Sequence, residues 1–168
     1  EWEYAVRGGP TQERTRFYGG ADEDDVQHMT ASGPDPNCRT NPVLQNIAWH
    51  CANSWADPLD MWETTASHIH IGKQQEANAL GLHDMLGNVW EWVWDNWQPY
   101  ADRAIIGEDW TLEGPAEGED RVKRGGGYFN SAAECTMAVR QPHSPNSRNS
   151  SIGFRVVRTL PAGESSNK

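Results

Sequence analysis

The segment Gly81–Trp97, GLHDMLGNVWEWVWDNW, constrains the fold more than any other part of the chain. It holds four tryptophans, two glycines and three acidic residues within seventeen positions, which is typical of neither a regular helix nor a simple strand. Trp90, Trp92 and Trp94 alternate with other residues, so an extended backbone directs their rings to one face. Because indole rings are large and apolar, we expect that face to be buried.

The carboxylates of this segment predict that the face opposite the tryptophans is polar. Glu91 and Asp95 point away from the indoles and need hydrogen bonds, a cation or water. Asp84 and the turn at Gly87 and Asn88 bring another carboxylate and backbone carbonyls close to Glu91. Oxygen ligands on a tight loop suit a hard cation such as calcium. The residues alone leave two interpretations open: a calcium loop, or a Gly-Asn turn that Glu91 caps or salt-bridges.

The size and composition of the chain indicate one loop-rich domain. Its 168 residues are enough for a single sizeable core. Aliphatic residues are few while tryptophans number nine, so the core must be built largely from flat rings. Glycine at 16 and proline at 10 supply many turns, which favours modest regular structure.

The charge balance excludes two classes of partner. Lysine and arginine number 14 against 24 acidic residues, and the net charge of -10 argues against binding to nucleic acid or an anionic membrane.

No apolar run is long enough to predict a membrane span. No charged and apolar leader opens the chain, so we expect any signal peptide to be absent or already removed.

The cysteines are odd in number, so at most one disulfide can form within the chain. Cys38 and Cys51 lie thirteen positions apart across a loop rich in Pro and Asn, and they are the expected pair if the compartment is oxidising. Cys135 then remains a thiol. No CxxC motif is present, so we expect no structural zinc.

The first ten residues, EWEYAVRGGP, read as the end of a helix. Gly8 or Gly9 would form its C-terminal cap, and Pro10 would block its continuation. No N-cap residue precedes this helix. We therefore expect the chain to begin inside a larger domain whose upstream strands are missing.

The remaining organisation alternates polar loops with short elements. Residues 10–42 should form a long surface loop, in which the acidic cluster 22–25 is a solvated face. Residues 43–53 predict a short helix or helical turn, and residues 152–158 alternate as a closing strand. The last eight residues, 161–168, are predicted to be a disordered tail.

The histidines offer a second possible metal site. His68 and His70 alternate with isoleucines, so on a strand both imidazoles would share one face and could hold a metal. With no third ligand near them, an exposed strand face is the competing interpretation. His50 and His83 are isolated, and each is predicted to be a packing histidine.

Four motifs occur in order along the chain: EWEYAVRGG, GLHDMLGNVWEWVWDNW, RVKRGGGYF and IGFRVVR. In this order the series resembles the formylglycine-generating enzyme family, also called the sulfatase-modifying factor domain. The resemblance implies an α+β domain over residues 1–160, an irregular, loop-rich variant of the C-type-lectin-like fold with short antiparallel strands. It also implies that several strands normally precede the EWEYA helix.

The resemblance adds a ligand set to the calcium interpretation. The family binds calcium through a loop similar to residues 84–91. By that match the ligands would be the side chains of Asp84 and Glu91 with the backbone carbonyls of Gly87 and Val89. Calcium is therefore the expected cofactor, in a structural role.

The resemblance also implies a chemistry that this chain fails to match. Active members convert a substrate cysteine to formylglycine with oxygen, and two cysteines five positions apart hold copper(I). Here the second position is Cys135 but the first is Asn130, and an amide cannot replace a thiolate at a soft copper(I) ion. Gly127 replaces the usual serine, and Glu134 should raise the pKa of the neighbouring thiol. We expect Cys135 to be a small buried hydrophobe and copper not to bind.

Two functions from different classes remain open. The first is a non-catalytic module, periplasmic or secreted, that acts in binding or as an accessory or assembly subunit of a larger complex. It would bind a partner protein or a small ligand through the polar segment 130–151. Another protein or the upstream half of its own domain is the expected partner. The alternative is a copper-dependent oxidase with an altered site, in which Cys135 alone engages the substrate thiol.

Overall fold

The structure is a computed structural model, and it describes most of the chain in six ranges. The predicted acidic cluster 22–25, much of the loop 10–42 and the predicted tail 161–168 lie outside these ranges. The described residues are 1–9, 15–19, 30–31, 38–55, 67–99 and 116–158.

Two short α-helices confirm two of the sequence predictions. Helix α1 spans Trp2–Val6 and ends where Gly8 and Gly9 adopt positive φ angles of 79° and 106°. Helix α2 spans Leu44–Ile47, inside the segment predicted to be helical, and its Leu44 and Ile47 are buried. A single turn of 3₁₀ helix, Ala132–Glu134, follows the glycine-rich motif.

Within the described ranges the strands are short and form three small sheets, which confirms the α+β, loop-rich class. The strands are β1 Thr30–Ala31, β2 Arg39–Thr40, β3 Ala48–Trp49, β4 Leu86–Gly87, β5 Trp90–Asn96, β6 Arg121–Arg124, β7 Arg140–His143 and β8 Ile152–Phe154. The pairs β1–β2, β5–β6 and β6–β7 are antiparallel, whereas β3–β4 and β5–β8 run parallel. The largest of these sheets has four strands in the order β7-β6-β5-β8.

The core lies between the helices, β3, β4 and the turn that contains Cys135. Its members are mostly apolar side chains that are buried almost completely, and Trp2, Ala5, Val43 and Leu82 pack against them. The buried cluster consists of Val6, Phe17, Tyr18, Leu44, Ile47, Ala48, Met85, Leu86, Ala132, Cys135 and Met137.

The predicted burial of the tryptophan face is right at one end of β5 and wrong at the other. Trp90 is fully buried, whereas Trp94 is 89% exposed. Trp90 is covered because Gly127 and Asn130 lie directly against its indole ring. Beyond Trp92 no described segment covers this face, while Glu91 on the opposite face is buried.

The closing strand is shorter than predicted. Strand β8 ends at Phe154, and Val156 and Val157 are exposed. Its pairing with β5 places Ile152 opposite Trp90 and Phe154 opposite Trp92. The alternation of apolar and basic residues therefore indicates the strand but not the point at which its pairing ends.

The disulfide and two of the histidines follow the sequence predictions. Cys38 and Cys51 are bonded, with Cα atoms 5.8 Å apart. His50 is fully buried, and this burial lowers its pKa to about 4, so it packs as a neutral ring. His83 is half-buried, and its Nδ1 lies 2.8 Å from the carbonyl oxygen of Gln75.

The predicted strand at His68 and His70 is absent, since residues 67–71 have no strand pairing. The backbone of His70 instead exchanges two hydrogen bonds with the side chain of Asn88. Its ring stacks between Trp49, at a centroid distance of 3.7 Å, and His68, at 4.5 Å. An amide side chain and ring stacking therefore take the place of a strand partner.

No helix within the described ranges is both long enough and apolar enough to span a bilayer.

Candidate functional site

The two loops predicted to carry chemistry lie side by side. The amide of Gly87, in the predicted calcium loop, donates to the carbonyl oxygen of Gly125 at 2.9 Å. The amide of Tyr128 donates to the carbonyl oxygen of Asn88 at 2.7 Å. The calcium-loop residues and the glycine-rich motif therefore form one structural unit.

Glycine is required where these backbones meet. Gly87 has a φ of +71°, and a Cβ atom added to it would lie 2.1 Å from the carbonyl oxygen of Trp49. Gly126 has a φ of +80°, and a Cβ atom there would lie 2.5 Å from Sγ of Cys135. The three consecutive glycines thus permit a close approach of chain segments, as the sequence predicts.

The carboxylate of Glu91 is the centre of this unit. Only 6% of the residue is exposed, so its charge needs direct partners. The indole Nε1 of Trp2 donates to Oε2 at 2.7 Å, and Nη2 of Arg155 donates to Oε1 at 2.6 Å. Nε of Arg155 lies 3.1 and 3.2 Å from the two oxygens.

Arg155 also connects Glu91 to the loop that precedes β4. Its Nη2 donates to the carbonyl oxygens of His83 and Asp84, each at 3.0 Å. A single guanidinium therefore compensates the Glu91 carboxylate and holds two backbone carbonyls nearby. Sequence reasoning missed both Arg155 and Trp2 as site residues, although a buried carboxylate should have prompted a search for a cation.

The four predicted calcium ligands differ in how well they fit a hard cation. Asp84 has a positive φ of 54°, and its Oδ2 accepts the amide of Lys73 at 2.7 Å. Its Oδ1 is buried and has no hydrogen-bond partner, as expected of an oxygen that a cation would complete. Both oxygens of Glu91 are already held by Arg155, so a cation would have to share them. Gly87 is buried and Val89 half-buried in the same loop.

The six described ranges were predicted to hold metal at two places, the calcium loop and the histidine pair. Within these ranges, no three His, Cys, Asp or Glu side chains gather in a way that could hold a metal ion. The predicted calcium loop contributes only two such side chains, because its other ligands would be carbonyl oxygens. His68 and His70 are in contact with each other, and no third side chain of these types joins them from the described part of the chain.

Asn130, at the first of the two implied copper positions, makes structural hydrogen bonds. Its Oδ1 accepts Nε1 of Trp90 at 2.8 Å and the amide of Gly127 at 2.9 Å. Its backbone carbonyl accepts the amide of Cys51 at 3.0 Å. The buried Asn130 therefore satisfies the indole of Trp90 and connects the glycine-rich loop to the disulfide segment.

Cys135, at the second implied copper position, is a fully buried thiol. Burial raises its pKa strongly, the nearby Glu134 carboxylate raises it further, and a hydrogen bond with the Gly127 backbone lowers it. The thiol therefore stays protonated near neutral pH. This confirms the prediction of a small buried hydrophobe, with burial as the larger cause and Glu134 as the smaller one.

Comparison with known proteins identifies the family. Residues 1–160 match the sequence profile of the family described as "Sulfatase-modifying factor enzyme 1-like domain". The formylglycine-generating enzyme of Mus musculus is 30% identical over 163 residues, covering 94% of this chain and 37% of that protein. The chaperone protein LppX of Paenibacillus barcinonensis is 28% identical over 165 residues, covering 95% of this chain and 47% of that protein.

A solved structure has a similar fold. Treponema denticola variable protein 1 superposes with a TM-score of 0.59 at 30% identity, covering 92% of this chain and 43% of that protein. The chain thus spans less than half the length of each of these relatives.

Removing the charge of Glu91 should destabilise the domain more than removing a surface charge. Glu91→Gln leaves the Arg155 guanidinium without its carboxylate, so we expect the free energy of unfolding to fall by about 3 kcal/mol. The matched control is Glu3→Gln, whose partly exposed carboxylate pairs with Arg7 and Arg124, and it should cost about 1 kcal/mol. Urea unfolding measures both, and equal losses would show that Glu91 has no special role.

Proposed function

Since this chain belongs to the sulfatase-modifying factor enzyme 1-like family, we propose that it is a non-catalytic member. It acts in binding or as an accessory subunit of a larger extracytoplasmic complex. The observation that carries this proposal is the Oδ1 atom of Asn130, which accepts two hydrogen bonds where a thiolate would be needed.

The chemistry of copper(I) supports the non-catalytic assignment. A soft copper(I) ion prefers a pair of thiolates, and each must be deprotonated to bind. Asn130 supplies an amide, and the Cys135 thiol is fully buried with a raised pKa. Neither position therefore offers the ligand that the metal requires.

The relatives support a role other than catalysis, although they do not assign one. One relative carries the name of a formylglycine-generating enzyme and another the name of a chaperone protein. A domain of this kind thus occurs in proteins with different activities, and fold alone does not determine function. An accessory role agrees with the chaperone name and with the altered copper position.

The disulfide between Cys38 and Cys51 supports an extracytoplasmic location. Disulfides persist in oxidising compartments such as the periplasm or the extracellular space, and are rare in the cytosol.

A copper titration tests the non-catalytic assignment. The protein with its Cys38–Cys51 disulfide intact is titrated with copper(I) against a competing chelator, and a cysteine-containing peptide is assayed for conversion to formylglycine. We expect no stoichiometric copper binding and no conversion. Asn130→Cys restores two cysteines five positions apart, so it should gain copper binding, and Asn130→Cys with Cys135→Ser should lose that gain.

One result would contradict the non-catalytic assignment. One copper(I) ion bound per wild-type chain and lost on Cys135→Ser, together with peptide conversion, would replace this proposal with the altered oxidase.

A structural calcium ion at Asp84, Gly87, Val89 and Glu91 is the second part of the proposal. The buried, unpartnered Oδ1 of Asp84 supports it, because such an oxygen is costly unless it is completed by a donor or a cation. The pairing of Glu91 with Arg155 limits it, since the guanidinium already supplies a positive charge at that carboxylate. In this role calcium would fix the loop that carries β4.

Thermal unfolding in calcium or in a chelator tests this second part. An ion that binds only the folded state adds about 2.7 kcal/mol of stability at a hundredfold excess over its dissociation constant. We expect calcium to raise Tm in the wild type, magnesium to raise it less, and Asp84→Asn to abolish the effect. If calcium leaves the wild-type Tm unchanged, Arg155 alone balances Glu91 and the loop holds no ion.

A further inference from the structure

The four-stranded sheet presents an exposed face that combines aromatic and cationic side chains. Register places Lys123 of β6 and Phe154 of β8 on either side of Trp92 of β5. Trp94 is 89% exposed and Phe154 76% exposed. We call the surface formed by Trp92, Trp94, Arg121, Lys123 and Phe154 the aromatic face.

A shallow groove runs along one side of the aromatic face. Its volume is about 280 Å³, and its lining mixes two indoles, two smaller apolar side chains and one guanidinium. Grooves of this kind accommodate apolar side chains and offer a charged group at the rim. The lining residues are Trp92, Val93, Trp94, Arg121 and Pro145.

The cations of the aromatic face contact rings rather than carboxylates. The Arg121 guanidinium lies 5.3 Å from the centroid of the Trp94 ring, and Nζ of Lys123 lies 4.2 Å from that of Trp90. A ring contact orients a cation. Arg121 also donates to the backbone carbonyl oxygen of Trp94. Burial lowers the pKa of Lys123, and the nearby Glu134 carboxylate partly offsets that lowering. Among the described residues neither cation forms an ion pair.

Three other basic residues in the described ranges pair with carboxylates. Arg7 and Arg124 both pair with Glu3, and Arg155 pairs with Glu91. In a chain with a net charge of -10, Arg121 and Lys123 lie together on one aromatic surface, half-buried and outside any ion pair among the described residues. This arrangement is complementary to a partner that is both acidic and apolar.

We propose that the aromatic face docks an acidic polypeptide segment of a partner protein. Apolar side chains of that segment occupy the groove beside Trp92 and Trp94, and its carboxylates contact Arg121 and Lys123. This inference rests on the proposed binding role, and it moves the binding surface from the polar segment 130–151 to the sheet.

The extent and composition of the face favour a polypeptide over a small molecule. From Lys123 across Trp92 to Phe154 it spans three strands, a width of roughly 10 Å. Tryptophan and arginine are the residue types that contribute most to protein–protein binding energy. A guanidinium also holds a carboxylate through two parallel hydrogen bonds.

A second copy of the chain is a poorer occupant. In a two-fold dimer the same patch meets itself, so Arg121 and Lys123 would face their own copies and repel them. The acidic segment therefore belongs to a different protein.

The experiment selects phage-displayed random peptides on the immobilised full chain and repeats the selection on the charge-reversal variant Arg121→Glu with Lys123→Glu. We expect the wild type to enrich peptides that combine acidic and apolar side chains and the variant to lose them.

One enriched peptide is then synthesised, and its affinity is measured by fluorescence anisotropy. Trp94→Ala should weaken binding about thirtyfold, as for a central aromatic contact, and added salt should weaken it further.

Matched controls separate the face from general effects of charge and exposed apolar area. Lys73→Glu changes an exposed cation and Ile71→Ala an exposed apolar side chain, both outside the sheet, and neither should alter the affinity. Phe154→Ala provides a second test on another strand if Trp94→Ala fails to fold.

Three results would overturn this inference. The first is no enrichment of acidic peptides on the wild type, and the second is peptide binding by Trp94→Ala and Phe154→Ala that equals binding by the wild type. The third is concentration-dependent dimerisation through this face in sedimentation equilibrium. None of them bears on copper binding, so the non-catalytic assignment would stand or fall separately.

Discussion

The buried ion pair between Glu91 and Arg155 is the interaction on which the rest of the structure depends. It joins residues 64 positions apart, and the indole of Trp2 reaches the same carboxylate from 89 positions away. Through Arg155 the pair also holds the backbone before β4. A buried carboxylate is tolerated only with such partners. Glu91 therefore lies inward on β5, whereas Asp95 and Trp94, further along the strand, are exposed.

The two positions implied in copper binding are part of the packing of this domain. The glycine-rich loop packs against Trp90 and Cys135 through direct contacts between protein atoms. Asn130 accepts the indole hydrogen of Trp90, and Cys135 fills the space left by Gly126. Both positions thus contribute to the stability of the fold.

Local signals were sufficient for some elements and insufficient for others. The glycines after α1, the pairing of Cys38 with Cys51 and the burial of Cys135 follow from short-range rules on caps, spacing and composition. The exposure of Trp94 does not, because alternation shows which residues share a face but not what covers it. That outcome depends on segments distant in sequence, as Gly127 and Asn130 show where they cover Trp90. The stacking of His70 on Trp49 likewise depends on the position of β3, which carries Trp49.

The central claim is that the position of Cys135 is structural, and the reactivity of its thiol tests this most directly. The disulfide leaves Cys135 as the one free thiol of the chain. An aromatic disulfide reagent should therefore label none of the native protein at neutral pH and one thiol per chain after unfolding in guanidinium. Rapid stoichiometric labelling of the native protein would contradict the account, because it would reveal an accessible thiolate at this site.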